Sequence, residues 1–408
     1  MELNRCPYCF KPLPESGECD CHYEESDNAR IMEALQPGTV IGACYLIGGV
    51  LGKGGFGITY KGFDLDLDKE VAIKEFYPKG MVARASLVSQ LNYVPSSEVS
   101  KVLALNSKDA DVYSKSLEMF YKEARVLAKL NSYSNVVHVY RIFRENNTAY
   151  FVMDYVQGKA LSKIIREKPG EKFSESELIP LLDPILAVLA KIHKDGILHR
   201  DIAPDNILID EDGNPVLLDF GAAKDAAARI EKKDDDIGSV SSVVVEKKGF
   251  TPLEQIGGHA TARSDIYALG ATYYYLLSGK LPPESYMRAQ NDDVVPLTKY
   301  GVSQKVSDAV LKAFAFHEED RWPDVASFRE ALNAAETETG TETETDGDTG
   351  SGNGSGGSSD ESGTGNTGGG SGDTGSGSGS GGSSDSGGTG NTGGGSCDTG
   401  SGSGSGGS

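Results

Sequence analysis

Apolar and polar residues alternate over Tyr45–Leu51, Ile58–Phe63 and Glu70–Glu75, a period of two that predicts three strands joined by Gly-rich and Asp-rich turns. The period then changes. Leu117, Phe120, Tyr121, Ala124, Leu127 and Ala128 recur at helical spacing, so Leu117–Leu130 is predicted as a helix with one buried face. Val136–Phe143 and Ala149–Met153 return to strand-like runs. Beyond Gly158 the apolar patterns lengthen, and Leu178–His193, Asp265–Leu277, Val306–Phe316 and Val325–Asn333 read as helices. Strands first and helices afterwards predict an α+β chain, a β-rich small lobe followed by an α-rich large lobe.

That patterning stops at residue 335. From Glu336 to Ser408 the chain is almost wholly Gly, Ser, Thr and Asp, with 11 acidic residues and no basic one. Asn366–Ser383 recurs as Asn391–Ser408, with Cys397 in place of Gly372. Ordering such a segment would cost chain entropy with nothing buried in return, so 336–408 is predicted to be a disordered acidic repeat tail. The tail carries 11 of the 21 net negative charges of the 408-residue chain, which leaves −10 on residues 1–335. An acidic body repels phosphate and argues against nucleic acid as a partner. The most apolar runs, Leu181–Ile192 and Ile266–Leu277, are shorter than a bilayer requires, and Asp183, Pro184 and Gly270 interrupt them. No membrane segment is predicted. The opening Met-Glu-Leu-Asn-Arg-Cys lacks the apolar stretch of a secretory leader, and the location is read as cytoplasmic.

Four of the six cysteines crowd into the first 21 positions, as Cys6-Pro-Tyr-Cys9 and Cys19-Asp-Cys21. Two thiolate pairs can complete a tetrahedron around Zn²⁺, with His22 able to replace either member of the second pair. The tighter Cys-x-Cys spacing weakens the match. A redox dithiol would belong to a thioredoxin-like unit, which the pattern does not supply. Residues 1–23 are therefore predicted as a zinc-knuckle-like cluster ordered by its metal, and 24–39 as a polar linker ending in Gln36-Pro37-Gly38. The body at 40–335 is expected to fold with or without that metal.

The chemistry begins at Leu51-Gly52-Lys53-Gly54-Gly55-Phe56-Gly57, a Gly-x-Gly-x-x-Gly triplet between two strand patterns. Glycines let backbone close over phosphate where a Cβ would clash. In a dinucleotide-binding unit the triplet opens a helix, whereas here Ile58-Thr59-Tyr60-Lys61 continues as a strand. Val71-Ala72-Ile73-Lys74 then places a lysine on a strand 17 residues past Gly57. Glu123, on the helix that follows, is its natural ion-pair partner, with Glu118 as the competing choice. His199-Arg200-Asp201-Ile202-Ala203-Pro204-Asp205-Asn206 carries His-Arg-Asp-x-x-x-x-Asn, and Asp219-Phe220-Gly221 follows 13 residues after Asn206.

This ordered set resembles the Hanks-type serine/threonine protein kinases over residues 45–332, most of all bacterial members with an N-terminal zinc knuckle. The resemblance implies a bilobal protein-kinase fold, with a small lobe at 40–153, a hinge at 154–158 and a large lobe at 159–335. It implies ATP in the cleft, contacted by the glycine segment, Thr59, Ala72, Lys74, Glu123 and Asp205, with Met153 as gatekeeper and the backbone of Asp154 and Val156 at the adenine. Asp201 would take the hydroxyl proton, while Asn206 and Asp219 would hold Mg²⁺ or Mn²⁺. Lys74, Asp201, Asn206 and Asp219 form the implied catalytic set. Glu254 should pair with Arg321, and Asp265 should accept from the catalytic-loop backbone. Implied partners are ATP and proteins bearing Ser or Thr, with self-association for autophosphorylation of a loop offering Ser239, Ser241 and Ser242 beside Arg200. That phosphate would be dispensable if Asp234-Asp235-Asp236 already supplies the charge.

Departures from the family pattern carry information too. Ala203 stands where Lys is usual two residues after the catalytic Asp, and Lys247 where Thr is usual seven residues before Glu254. Thr59 replaces Val, and Leu253 replaces Pro. These changes motivate an alternative, a nucleotide-binding pseudokinase scaffold, against which the complete set Lys74, Asp201, Asn206 and Asp219 argues. Lys247 then has two readings, a solvated loop lysine, or the cation missing at 203 moved across to reach back towards Asp201 and the γ-phosphate. Between Lys74 and Glu123 lie 48 residues, of which Val82–Ser116 reads as an added surface segment.

Overall fold

The computed structural model describes residues 5–14, 19–21, 31–88, 98–220 and 247–339. Residues 340–408 of the predicted tail, His22, Gly221, Asp234–Asp236 and the three loop serines lie outside the described residues, while 336–339, expected to be disordered, continue the last helix.

Among the described residues, eight strands build the first half: β1 (Val40–Ile41), β2 (Tyr45–Lys53), β3 (Gly57–Asp64), β4 (Lys69–Phe76), β5 (Val82–Arg84), β6 (Val102–Ala104), β7 (Val139–Glu145) and β8 (Thr148–Asp154). Six of them form one antiparallel sheet in the order β1-β2-β3-β4-β8-β7, while β5 and β6 pair as a separate hairpin. The β3–β4 register sets Thr59 beside Lys74, and the β4–β8 register sets Lys74 beside Phe151 and Ala72 beside Met153. After the single turn α1 (Ala85–Val88), helix α2 (Ser107–Leu127) packs on this sheet. Phe120 meets Phe76 and Phe151 at ring separations of 5.1 and 5.2 Å.

Three expectations change here. Helix α2 starts ten residues before the predicted Leu117, capped by Asn106, whose side chain accepts from the Asp109 amide at 2.9 Å. Its first turns are polar, so apolar periodicity could not reveal them. Residues 82–116 are accordingly no mere surface addition, since Val82, Arg84, Ala85, Val102, Tyr113 and Ser116 are buried. The end of the predicted linker is also structural. Ala34 and Leu35 enter the small-lobe core, and the Leu35 amide donates to Tyr60 Oη at 3.0 Å.

The second half is helical: α3 (Leu161–Glu167), α4 (Glu175–Lys194), α5 (Leu253–Ile256), α6 (Ala262–Ser278), α7 (Ser285–Arg288), α8 (Gln304–Ala313) and α9 (Val325–Thr339). A small sheet, β11-β10-β9, joins β9 (Gly158–Ala160), β10 (Ile207–Asp210) and β11 (Pro215–Leu217). Helix α6 is buried from Ser264 to Tyr274, which makes it the post around which this lobe packs. Gly270 permits this packing, because a Cβ there would lie 2.7 Å from the Phe314 amide nitrogen.

Candidate active site

The glycine turn sits between β2 and β3, closed by a bond from the Gly54 amide to the Gly57 carbonyl at 2.9 Å. Its glycines are not equivalent. A Cβ on Gly52 would meet nothing within 4 Å, and one on Gly54 would reach only Gly57 O at 4.0 Å. On Gly57 it would lie 2.5 Å from Glu75 O. The sheet itself demands the third glycine, while the first two leave open space beside the turn. Around them Leu51 is exposed, Phe56 is buried, Gly55 O accepts from the Lys79 amide, and Lys53 pairs with Glu33 at 2.8 Å.

Lys74 Nζ lies 2.6 Å from Asp219 Oδ1. Burial opposes the lysine's charge, but Asp219 first and then the buried Glu123 attract it more strongly and hold its pKa above the ordinary value. The sequence nominated Glu123 as partner; the structure puts Asp219 at contact and Glu123 next in electrostatic weight. Strand β8 ends at Asp154 and β9 begins at Gly158, so Tyr155, Val156 and Gln157 cross between the lobes, with Met153 buried just before the crossing.

Asp201 is held from several sides. Asn206 Nδ2 donates to its backbone carbonyl and to Oδ2, both at 2.7 Å. That use of the amide nitrogen leaves Asn206 its oxygen to offer a cation, whereas Asp205 beside it is exposed. The Asp201 amide donates to His199 Nδ1 at 3.2 Å, and His199 Nε2 lies 2.8 Å from Leu218 O. A carbonyl only accepts, so Nε2 carries the proton and the ring is neutral. Burial, which lowers the His199 pKa, agrees. His199 thus staples the Asp201 backbone to the residue before Asp219.

Asp265 fixes the loop from below. Its carboxylate accepts from the His199 amide at 2.8 Å, the Arg200 amide at 2.7 Å and His193 Nε2 at 2.8 Å. Those bonds hold Arg200 at φ 67°, a left-handed conformation that is costly for a non-glycine residue. Gln255 Nε2 donates to Arg200 O at 2.7 Å. Arg321 Nη1 pairs with Glu254 Oε1 at 2.7 Å, as the family resemblance implied. His193 and Gln255 were not anticipated. Each lies outside the recognised motifs, and only the folded chain brings it to the loop. Lys247, which the sequence did single out, has Nζ 3.6 Å from Asp201 Oδ2.

The model of the protein kinase domain matches residues 94–322. The chain belongs to the protein kinase family. The match begins after β4, so the kinase's glycine turn and Lys74 precede it, joined through the long segment before α2. The serine/threonine-protein kinase PknA of a Nostoc strain is 30% identical over 286 residues, 69% of this chain and 45% of its own length. PrkC of Bacillus subtilis is 29% identical over 310 residues, 73% of this chain and 42% of PrkC. The kinase spans about half the length of the curated relatives it matches. Among solved structures, the apo form of PpkA-294 gives a TM-score of 0.62 at 32% identity, covering 74% of this chain and 99% of that one. The PknI kinase domain of Mycobacterium tuberculosis, at 18% identity and a TM-score of 0.51 with the same coverages, shares the fold, with its β-sheet small lobe and helical large lobe. Among the described residues no helix is long and apolar enough to cross a membrane.

At the N-terminus the sulfurs of Cys6, Cys9, Cys19 and Cys21 all lie within 4.8 Å of one another. Zinc–sulfur bonds of about 2.3 Å set sulfurs about 3.8 Å apart in a tetrahedron, so the cluster fits Zn²⁺. The Cys6–Cys21 and Cys9–Cys19 contacts are 3.5 and 3.4 Å. Burial opposes charge on Cys6, but the amides of Cys9 and Tyr8 outweigh it and bring the thiol down to about 7. Cys21, crowded by Cys19 and Cys6, is pushed up to about 12. Four thiolates need a cation to coexist.

Proposed function

We propose that this kinase transfers the γ-phosphoryl group of ATP to Ser or Thr hydroxyls of proteins. The observation that carries the reading is the joining of Asp201 and the Lys74–Asp219 pair through His199, which brings residues from distant parts of the chain into one cleft. The serine/threonine kinases among its relatives support the hydroxyl class.

Gly52 and Gly54 leave room for phosphates, Lys74 supplies a fixed positive charge to them, and the 154–156 backbone would hold the adenine. Asn206 and Asp219 offer oxygen ligands suited to Mg²⁺ or Mn²⁺, which when bound neutralises phosphate charge. Asp201 orients the incoming hydroxyl. Its oxygen bonds to the γ-phosphorus as the bond to the β–γ bridging oxygen breaks, the electron pair stays with ADP, and the hydroxyl proton passes to Asp201. Autophosphorylation at Ser239, Ser241 or Ser242 belongs to the same chemistry.

Labelled ATP, Mg²⁺ and a generic basic protein test the reading. Wild type should transfer label, and Asp201→Asn should lose about 10²–10⁴-fold in kcat while still binding ADP. A wild type that binds nucleotide without turnover would instead be a scaffold. We also propose that the four cysteines hold one structural Zn²⁺ per chain, which elemental analysis checks.

A further inference from the structure

We propose that Lys247 is a catalytic residue of this kinase, a cation for the γ-phosphate that replaces the one absent at Ala203. The proposal deepens the phosphotransfer reading above and rests on it. Ala203 is buried two residues beyond Asp201 and brings no charge to the site. Lys247 brings it from the opposite segment, its Nζ 3.6 Å from Asp201 Oδ2, with side-chain exposures of 20% for the lysine and 9% for the aspartate. Its neighbour Lys248 does the reverse. That side chain is 80% exposed and pairs with Glu284 at 3.4 Å, away from the loop. The two lysines are therefore sorted by structure, one inward and one outward.

What aims Lys247 is a tight turn. Its carbonyl accepts from the Phe250 amide at 2.9 Å, and Gly249, third in the turn, has φ +82°. A Cβ on Gly249 would strike Pro282 O at 2.4 Å, so this turn is pressed against the lobe and its shape is fixed by glycine. Phe250 then anchors the turn in the large-lobe core. Lys247 is thus held at its backbone while the stem keeps its reach, and an ammonium is a compact charge suited to phosphate oxygens.

The charge arithmetic of the cleft favours this role. Lys74 stands on Asp219 and Lys247 on Asp201, so each of the two carboxylates has a lysine against it. Phosphoryl transfer spreads negative charge over the equatorial oxygens of the moving group, which lies between the nucleotide and the hydroxyl at Asp201. A donor beside Asp201 is placed to meet that charge as it develops. Lys247 donates hydrogen bonds, gives up no proton, and leaves Asp201 as the acceptor of the hydroxyl proton.

The experiment measures kcat together with separate affinities for ATP and ADP in the full chain. Lys247→Ala should lower kcat by about 10²–10³-fold. It should also weaken ATP binding several-fold and leave ADP binding unchanged, because ADP lacks the γ-phosphate. A lysine that merely shaped the loop would not separate the two nucleotides. Lys248→Ala should match wild type, and adding Ala203→Lys to Lys247→Ala should restore part of kcat. If Lys247→Ala fails to fold, Lys247→Met keeps the stem and removes only the charge. Unchanged kcat, or equal losses of ATP and ADP affinity, overturns the proposal. Asp201→Asn separates the two levels: wild-type turnover there would overturn the phosphotransfer site itself, whereas a dead Asp201→Asn beside a fully active Lys247→Ala would overturn the lysine's role alone.

Discussion

Phe10 of the cysteine-rich segment lies stacked on Phe63 of β3, the ring centroids 5.4 Å apart and the planes inclined by 27°. Arg5 covers Phe63 at 4.6 Å and donates to Phe10 O, and Phe10, Leu46 and Phe63 form a small core of their own. The cysteine cluster is therefore docked on the kinase sheet, not tethered beside it. Phe10→Ala should destabilise the whole small lobe by about 3 kcal/mol, the low end for an aromatic truncation because this core is small. Stripping zinc with a chelator should lower the thermal midpoint of the same transition. A midpoint indifferent to both would show that the lobe folds on its own, as the sequence had suggested.

The three glycines of the turn should respond differently to a methyl group. Gly57→Ala forces its Cβ onto the Glu75 carbonyl and should cost stability, seen as a lower denaturation midpoint. Gly52→Ala and Gly54→Ala meet no such obstacle and should melt like wild type. Their effect should appear instead as a raised KM for ATP.

Buried Glu75 accepts from Tyr60 Oη at 2.6 Å, Tyr150 Oη at 2.9 Å and Arg84 Nη2 at 2.7 Å. Arg84 in turn donates to Glu33 O and Ser100 O. Removing one charge leaves the other buried without its counterion, so Glu75→Gln and Arg84→Met should each cost about 3–5 kcal/mol. The double variant should cost clearly less than the sum, because the pair is one unit. Urea unfolding of the four proteins measures this coupling.

Acid should weaken the large lobe through Glu254. Burial raises its pKa, but the bond and charge of Arg321 outweigh burial and hold it below the ordinary value. A depressed carboxylate contributes stability that is complete above the unfolded pKa of about 4.3 and is lost as pH falls through the folded value. Glu254→Gln should therefore be less stable than wild type at pH 7, and the gap should close below pH 4. A gap that stays constant from pH 7 to pH 3 would show that the shift is absent.

The sequence disclosed what depends on short spacing. The glycine triplet, the strand bearing Lys74 and the loop from His199 to Asn206 are local patterns with their own period or register, and their elements fall where alternation placed them. Arg321 could be matched to Glu254 only through the family resemblance. Helix α2 was half hidden because its first turns face water and have no apolar rhythm. Some partners of Asp265 and Glu75 are long-range: His193 is 72 residues from Asp265, and Tyr150 is 75 from Glu75. Nothing in a linear pattern marks such pairs. The docking of Phe10 on Phe63 escaped for the same reason, since one aromatic residue in a cysteine turn has no periodicity.

Strand β4 carries Lys74 and Glu75 as neighbours, and successive side chains of a strand leave on opposite faces. One of them meets Asp219, and the other meets Arg84 of the hairpin. A change in the hairpin that shifts Glu75 tilts the same few backbone atoms that aim Lys74. The hairpin is thus not free to drift as a surface ornament would. A substitution in the hairpin is therefore felt on the far face of the strand, at the lysine the strand carries.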